Sequence, residues 1–137
     1  MHTTDNLRRR HIHTGQSLVE FALSASLLIM LLLGTVDFAR GYAAQVSIKN
    51  AVAEAGYYAV QNPRDDAGIR NAVRSELAGF TPAVQNSDIT ITRDCTPDVE
   101  RTTIQVRYQY NLLFTFLVPS ATVTLGSETT VPQMGGC

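Results

Sequence analysis

Residues 21–36 read FALSASLLIMLLLGTV, a stretch that contains no charged side chain. Apolar residues fall on every side of a helix built from this stretch, which is typical of a helix surrounded by lipid. When the neutral residues 16–19 and 38–39 are counted with it, the stretch reaches about 20 residues, enough to cross a hydrocarbon core of roughly 30 Å. The sequence therefore predicts a transmembrane helix over residues 16–39.

A basic cluster of Arg8, Arg9 and Arg10 precedes this helix. It lies in residues 1–15, a polar segment without hydrophobic periodicity that we interpret as a leader peptide. The cytoplasmic flanks of membrane spans carry the excess of Lys and Arg, so the N-terminus is expected in the cytoplasm. The prediction is a single-pass membrane protein whose C-terminal domain is extracytoplasmic.

The helical pattern continues beyond the predicted span. Small apolar residues recur at spacings of three and four until Val60, and Asn62 followed by Pro63 is expected to end the helix. Residues 40–62 are therefore predicted to extend the first helix. The two tyrosines near its end, Tyr57 and Tyr58, are expected either to cover the domain's own core or to contact other subunits.

Residues 63–137 are predicted to form the extracytoplasmic domain, which makes the fold class α+β. Asp65 and Asp66 are suitable helix caps, and apolar residues at every fourth position after them indicate a short second helix. Apolar and polar residues then alternate, as in the half-buried strands of a small antiparallel sheet. The strands are expected around Ile89 and Ile91, Ile104 to Tyr110, and Val123 and Leu125. For the apolar run of residues 112–118, a buried strand and a loop over the core both remain open.

The junction between leader and helix holds a single acid, Glu20. An ionised side chain in the membrane is costly without a partner, by roughly 2.5 to 3.5 kcal/mol at the bilayer centre. A cut between Gly15 and Gln16 would supply a partner, because the new α-amino group would be positive and four residues from Glu20 on one helix face. That ammonium could pair with its own Glu20 or with that of an adjacent subunit. The alternative is an interfacial acid that interacts with the positive end of the helix dipole.

Two short motifs flank the apolar run, Val-Glu-Phe-Ala at residues 19–22 and Asp-Phe-Ala-Arg at residues 37–40. With them, residues 15–60 resemble the N-terminal region of the TadE-like family of minor pilins, or pseudopilins, of tight-adherence (Tad or Flp-type) pili. The sequence FTFLVP at residues 114–119 resembles that family's C-terminal region. The resemblance implies a pilin-like fold and a role in pilus assembly and cell adhesion.

The resemblance also implies roles for individual residues. A prepilin peptidase would cut after Gly15 and leave Gln16 as the new N-terminus, and Glu20 would direct assembly. A turn at the membrane exit would consist of Asp37, Phe38, Ala39 and Arg40. The i, i+3 spacing of Asp37 and Arg40 also suits an intrahelical ion pair. The implied partners are the prepilin peptidase, other pilin subunits, the Tad assembly platform and the bacterial inner membrane.

Composition and motifs argue against an enzyme. All three histidines fall in the leader, and the chain has no Gly-rich phosphate loop and no CxxC motif, so we expect neither catalysis, nor a cofactor, nor a small-molecule substrate. A net charge of −1 argues against nucleic-acid binding. Two alternative roles of the apolar segment remain open: a signal peptide cut after Ala43, and an uncleaved anchor of a protein unrelated to pili.

The C-terminal half offers two weaker features. Asp94, Asp98 and Glu100 are predicted to form a solvated loop and no metal site is expected, with calcium binding at this loop left open. The chain has two cysteines, Cys95 and Cys137, which either form one disulfide or remain unpaired. The tail from Pro132 onward is expected to be loose unless Cys137 ties it down.

Overall fold

The computed structural model of the protein describes residues 5–96, 99–113 and 122–133, and before residue 15 it describes the backbone only. The chain divides into two compact units between Phe38 and Ala39, here called unit 1 and unit 2. The described elements, in chain order, are helix α1 (Asp5–Gln61), helix α2 (Asp66–Glu76), a 3-10 turn (Asn86–Asp88) and strands β1 (Ile89–Thr96), β2 (Val99–Asn111) and β3 (Thr122–Pro132). The predicted α+β class is confirmed.

Unit 1 contains the apolar part of α1, whose large hydrophobic side chains are exposed. Its hydroxyl groups bond within the helix, since Ser26 donates to the Ala22 carbonyl at 2.8 Å and Thr35 donates to the Leu31 carbonyl at 2.8 Å. Such bonds satisfy polar groups where no water is present. By length and composition, the segment Gly15–Gln61 is able to cross a membrane.

The described residues of unit 2 form a hydrophobic core to which α1, α2 and the sheet all contribute. From α1 come Ile48 and Val52 together with small residues, and the three alanines at positions 51, 55 and 59 have no exposed surface. Small side chains let a helix approach its neighbours closely. Helix α2 contributes Ile69 and Val73, which have the predicted four-residue spacing.

The sheet is antiparallel with strand order β1-β2-β3, so β2 lies in the centre. Alternate residues of β2 point into the core and are buried, namely Thr102, Ile104, Val106 and Tyr108. The opposite face is polar: the hydroxyls of Thr103 and Thr130 lie 2.9 Å apart, and Gln105 donates to Glu128 at 3.1 Å. The period-two pattern therefore identified the strands correctly, and for β2 it also identified the buried face. In β3 the predicted inward residue Val123 is exposed.

Three expectations concern where regular structure begins and ends, and the structure corrects two of them. Helix α1 begins at Asp5 rather than near Gln16, because helical hydrogen bonds join backbone groups and do not require an apolar face. It ends at Gln61, as the Asn-Pro sequence predicted. The chain from Pro132 was expected to be loose, but Pro132 is the last residue of β3. The backbone N–H of Gln133 donates to the backbone carbonyl of Glu100 at 3.0 Å.

The prediction of an acidic loop is also wrong for Asp94 and Glu100, the two of its three acids that the structure describes. Asp94 belongs to β1 and Glu100 to β2, where Asp94 pairs with Arg101 and Cys95 with Glu100. Opposite charges across a strand pair favour extension of the hairpin, an effect that local composition does not reveal. Asp98 lies outside the described residues, as do residues 114–119.

The N-terminus of α2 is fixed by Asp65. Its carboxylate accepts from the Gly68 amide at 2.9 Å and from the Tyr58 hydroxyl at 2.7 Å. Both hydrogen bonds hold the pKa of Asp65 below its ordinary value, and the bond from Gly68 has the larger effect. The hydrogen bond to the same carboxylate raises the pKa of Tyr58. Tyr58 also packs against the core, whereas Tyr57 is 71% exposed. For Tyr58, the expectation that it covers the domain's own core is therefore confirmed.

We expect the stability of unit 2 to fall as the pH drops from about 4 through the lowered pKa of Asp65. The folded state stabilises the ionised carboxylate, so this contribution is complete above the unfolded-state pKa and disappears as Asp65 becomes protonated. Asp65→Asn keeps a capping oxygen but cannot titrate, and it should flatten this dependence. Urea unfolding of the full chain in detergent between about pH 5 and pH 3, followed by tyrosine circular dichroism, measures the effect.

The matched control for this experiment is Glu54→Gln, which neutralises an exposed carboxylate on α1. It should keep the pH dependence of the original chain. Equal pH dependence in the original chain and in Asp65→Asn would contradict the assignment of the effect to the α2 cap.

Candidate processing and assembly site

Gly15, Gln16 and Glu20 lie near the start of the apolar segment of α1, and all three are exposed. A Cβ atom placed on Gly15 would meet no other atom within 4 Å, so the peptide bond after it is not covered by another described part of the chain. Gln16 and Glu20 are one helical turn apart on the same face. The structure thus places an accessible glycine next to a helix face that carries one acid.

The chemistry of this face depends on charge. Glu20 is the only charged residue in residues 15–36, so no other side chain of that stretch can neutralise it. A free α-amino group on Gln16 would be a cation at neutral pH, at the distance of a helical i, i+4 pair. Because both positions are exposed, the same groups are also accessible to a neighbouring molecule.

The predicted turn of Asp37, Phe38, Ala39 and Arg40 is not a separate turn in the structure, because all four residues lie inside the continuous helix α1. Asp37 is buried, with 5% of its surface exposed, whereas Phe38 is 76% exposed. Arg40 belongs to unit 2, where its guanidinium carbon lies 6.0 Å from the centre of the Tyr110 ring. The ion pair between Asp37 and Arg40 stays a prediction, since the two residues belong to different units.

Of the two cysteines, the structure describes only Cys95. Cys95, in β1, is disulfide-bonded, while Cys137 lies outside the described residues, so a bond between the two stays a prediction. Among the described residues, no group of three or more His, Cys, Asp or Glu side chains is placed to hold a metal ion.

Within helix α1, the apolar segment follows an accessible glycine and carries one acid near its start. Residues 15–56 match the TadE-like protein family. The resemblance seen in the sequence is confirmed for this segment, which we call the TadE-like segment. It starts at Gly15, contains Glu20 and Arg40, and ends within α1. The comparison finds no match to the chain among curated proteins or among solved structures.

The contact between Arg40 and Tyr110 was not predicted from the sequence. Tyr110 belongs to a strand whose alternation is visible in the sequence, and Arg40 belongs to the motif at the predicted membrane exit. The two residues are far apart in the chain, and Tyr110 lies beyond the TadE-like segment. The alternating pattern of β2 indicates which face Tyr110 occupies, but no local pattern indicates which helix residue it meets.

Proposed function

We propose that the protein is a minor pilin-like (pseudopilin) subunit of a Tad or Flp-type pilus that is cut after Gly15 by a prepilin peptidase and supports pilus assembly and adhesion without being an enzyme. The observation that carries this proposal is the TadE-like segment, which begins at the same glycine. The family match indicates a Tad pilus-associated, pilin-like protein; cleavage, assembly and adhesion are the proposed parts.

The apolar half of α1 anchors the protein in this proposal. Arg8, Arg9 and Arg10 keep the leader on the cytoplasmic side of a bacterial inner membrane, and unit 2 folds on the other side. The leader is then within reach of a peptidase at the cytoplasmic surface. Removing it also removes the basic residues that hold the N-terminus there, which favours release of the helix into a growing fibre.

Cleavage also creates a positive charge that can pair with the carboxylate of Glu20. The new ammonium on Gln16 and the carboxylate of Glu20 attract each other strongly in an apolar environment, where the dielectric constant is low. A pair formed between two subunits fixes the axial position of one helix relative to the next. The partners of the mature protein are therefore other pilin subunits and the Tad assembly platform.

The proposal is tested by N-terminal sequencing and intact mass of the protein purified from membranes of its native host. We expect the mature chain to begin at Gln16. A start at Ala44 would indicate a signal peptide and a secreted domain, and an intact Met1 would indicate an uncleaved anchor; either result would contradict the proposal.

A pair of glycine variants makes this test specific. Gly15→Leu is expected to retain the leader, because a side chain would now lie at the bond that the peptidase recognises. Gly34→Leu is the matched control, since Gly34 is in the same helix and an added Cβ there also meets nothing within 4 Å. Processing of the Gly15 variant at a normal level would contradict recognition of this glycine.

A further inference from the structure

A groove of about 360 Å³ lies on unit 2 beside the first residues that this unit takes from α1. Its described lining carries one formal charge, the guanidinium of Arg40, and no carboxylate. The other polar or aromatic groups of the lining are contributed by Ser47, Phe80, Thr81, Tyr108 and Tyr110. The groove is therefore electropositive and has aromatic walls.

Arg40 is held at the groove by Tyr110. The guanidinium lies 6.0 Å from the ring centre, within the range of a cation–π contact. Because the described lining of the groove holds no carboxylate, no acid of that lining neutralises Arg40. A guanidinium that faces an aromatic ring keeps N–H groups at its edge, and these can donate to an oxygen anion.

Aromatic contacts also support the wall of the groove. The rings of Phe80 and Tyr108 meet edge to face with centres 5.1 Å apart, and the Tyr108 hydroxyl donates to the Pro82 carbonyl at 2.8 Å. These contacts fix Tyr108, whose side chain is otherwise buried in the core. The groove is thus built on groups that the fold already holds in place.

The same end of the sheet exposes large apolar side chains. Val123 is the cross-strand partner of Tyr110 and is 44% exposed, and Leu113, two residues beyond the end of β2, is 50% exposed. On α1, Tyr42 is 65% exposed two residues after Arg40. A cation beside exposed aromatic and aliphatic groups is typical of a surface that lies at the boundary between headgroups and acyl chains.

We infer that this groove binds the headgroup phosphate of a phospholipid, with Arg40 as the phosphate ligand and the exposed apolar side chains in the acyl boundary. The inference rests on the proposed function, because that proposal puts the apolar half of α1 in a membrane. Arg40 comes four residues after the apolar segment of residues 21–36, and this place in the chain suits a residue that meets lipid phosphates. A guanidinium suits phosphate because it offers two parallel N–H groups.

The test is a titration of the full chain, in mild detergent, with phosphatidylglycerol, followed by native mass spectrometry of the retained lipid. Arg40→Gln is expected to lower lipid retention about fivefold, since a basic side chain near an anionic lipid surface contributes to binding by about that factor. Arg40→Lys keeps the charge but loses the paired N–H groups, and it should retain an intermediate amount. Arg107→Gln is the matched control, because Arg107 is exposed on the polar face of β2.

Unchanged retention in Arg40→Gln, or an equal loss in Arg107→Gln, would overturn the inference. Equal retention of a neutral diacylglycerol glycolipid would also overturn it, as would displacement of the lipid by millimolar inorganic phosphate, which would identify a site for the free ion. If Arg40→Gln impaired fibre incorporation alone, the groove would instead bind another subunit. Alkaline carbonate extraction of native membranes tests anchoring separately, so failure of the proposed function is distinguishable from failure of the lipid site.

Discussion

Glu20→Ala is expected to leave cleavage after Gly15 intact and to abolish incorporation of the protein into pili. In the proposed mechanism, the ammonium of Gln16 enters an apolar fibre interior together with the carboxylate of Glu20. Without that carboxylate the ammonium has no counter-ion there, and an unpaired charge in a bilayer costs roughly 2.5 to 3.5 kcal/mol at its centre. Since about 1.4 kcal/mol is a factor of ten, incorporation should fall by more than about tenfold.

Immunoblots of sheared pili and of the membranes that remain measure this effect. The variant should accumulate in membranes at its mature mass and be missing from the sheared fraction. Glu54→Ala is the control, because Glu54 is exposed on the same helix outside the apolar segment and should be incorporated normally. Normal amounts of Glu20→Ala in sheared pili would contradict the charge-pair mechanism, while loss of cleavage would show that Glu20 acts at the processing step.

Gly15, Gln16 and Glu20 could be named from the sequence because they are close in the chain. Helix geometry relates Gln16 to Glu20, and the resemblance to the TadE-like family implies the cut after Gly15. The structure adds that all three are exposed. Their roles in processing and assembly stay predictions that the experiments above address.

The fold was predictable where its pattern is local. The four-residue spacing of Ile69 and Val73 identified α2, and the alternation around Ile104 identified β2, since each pattern reports which side of one element is buried. The extent of the β1–β2 hairpin and the contact of Arg40 with Tyr110 were missed. Both depend on which residues of distant elements become neighbours, and single-sequence patterns do not carry that information.

Ile48→Ala is expected to destabilise unit 2 by about 2 to 5 kcal/mol, because it removes buried methyl and methylene groups and leaves a cavity. Ile48 has no exposed surface and belongs to the core that also contains Ile69 and Ile104. The part of α1 beyond the apolar segment is thus a structural element of unit 2 and not merely a stalk. Such a loss is a large fraction of the free energy of unfolding of a typical domain, which is roughly 5 to 15 kcal/mol.

Urea unfolding of the full chain in detergent, followed by tyrosine circular dichroism, measures this change. Lys49→Ala is the matched control: it alters the next residue of the same helix, which is exposed, and alanine is at least as good a helix former as lysine. Its free energy of unfolding should stay within about 0.5 kcal/mol of that of the original chain. If Ile48→Ala also stayed within that range, α1 would not be part of the core of unit 2. If Ile48→Ala destabilises unit 2 as expected, the fold of the sheet and of α2 depends on the part of α1 that belongs to unit 2.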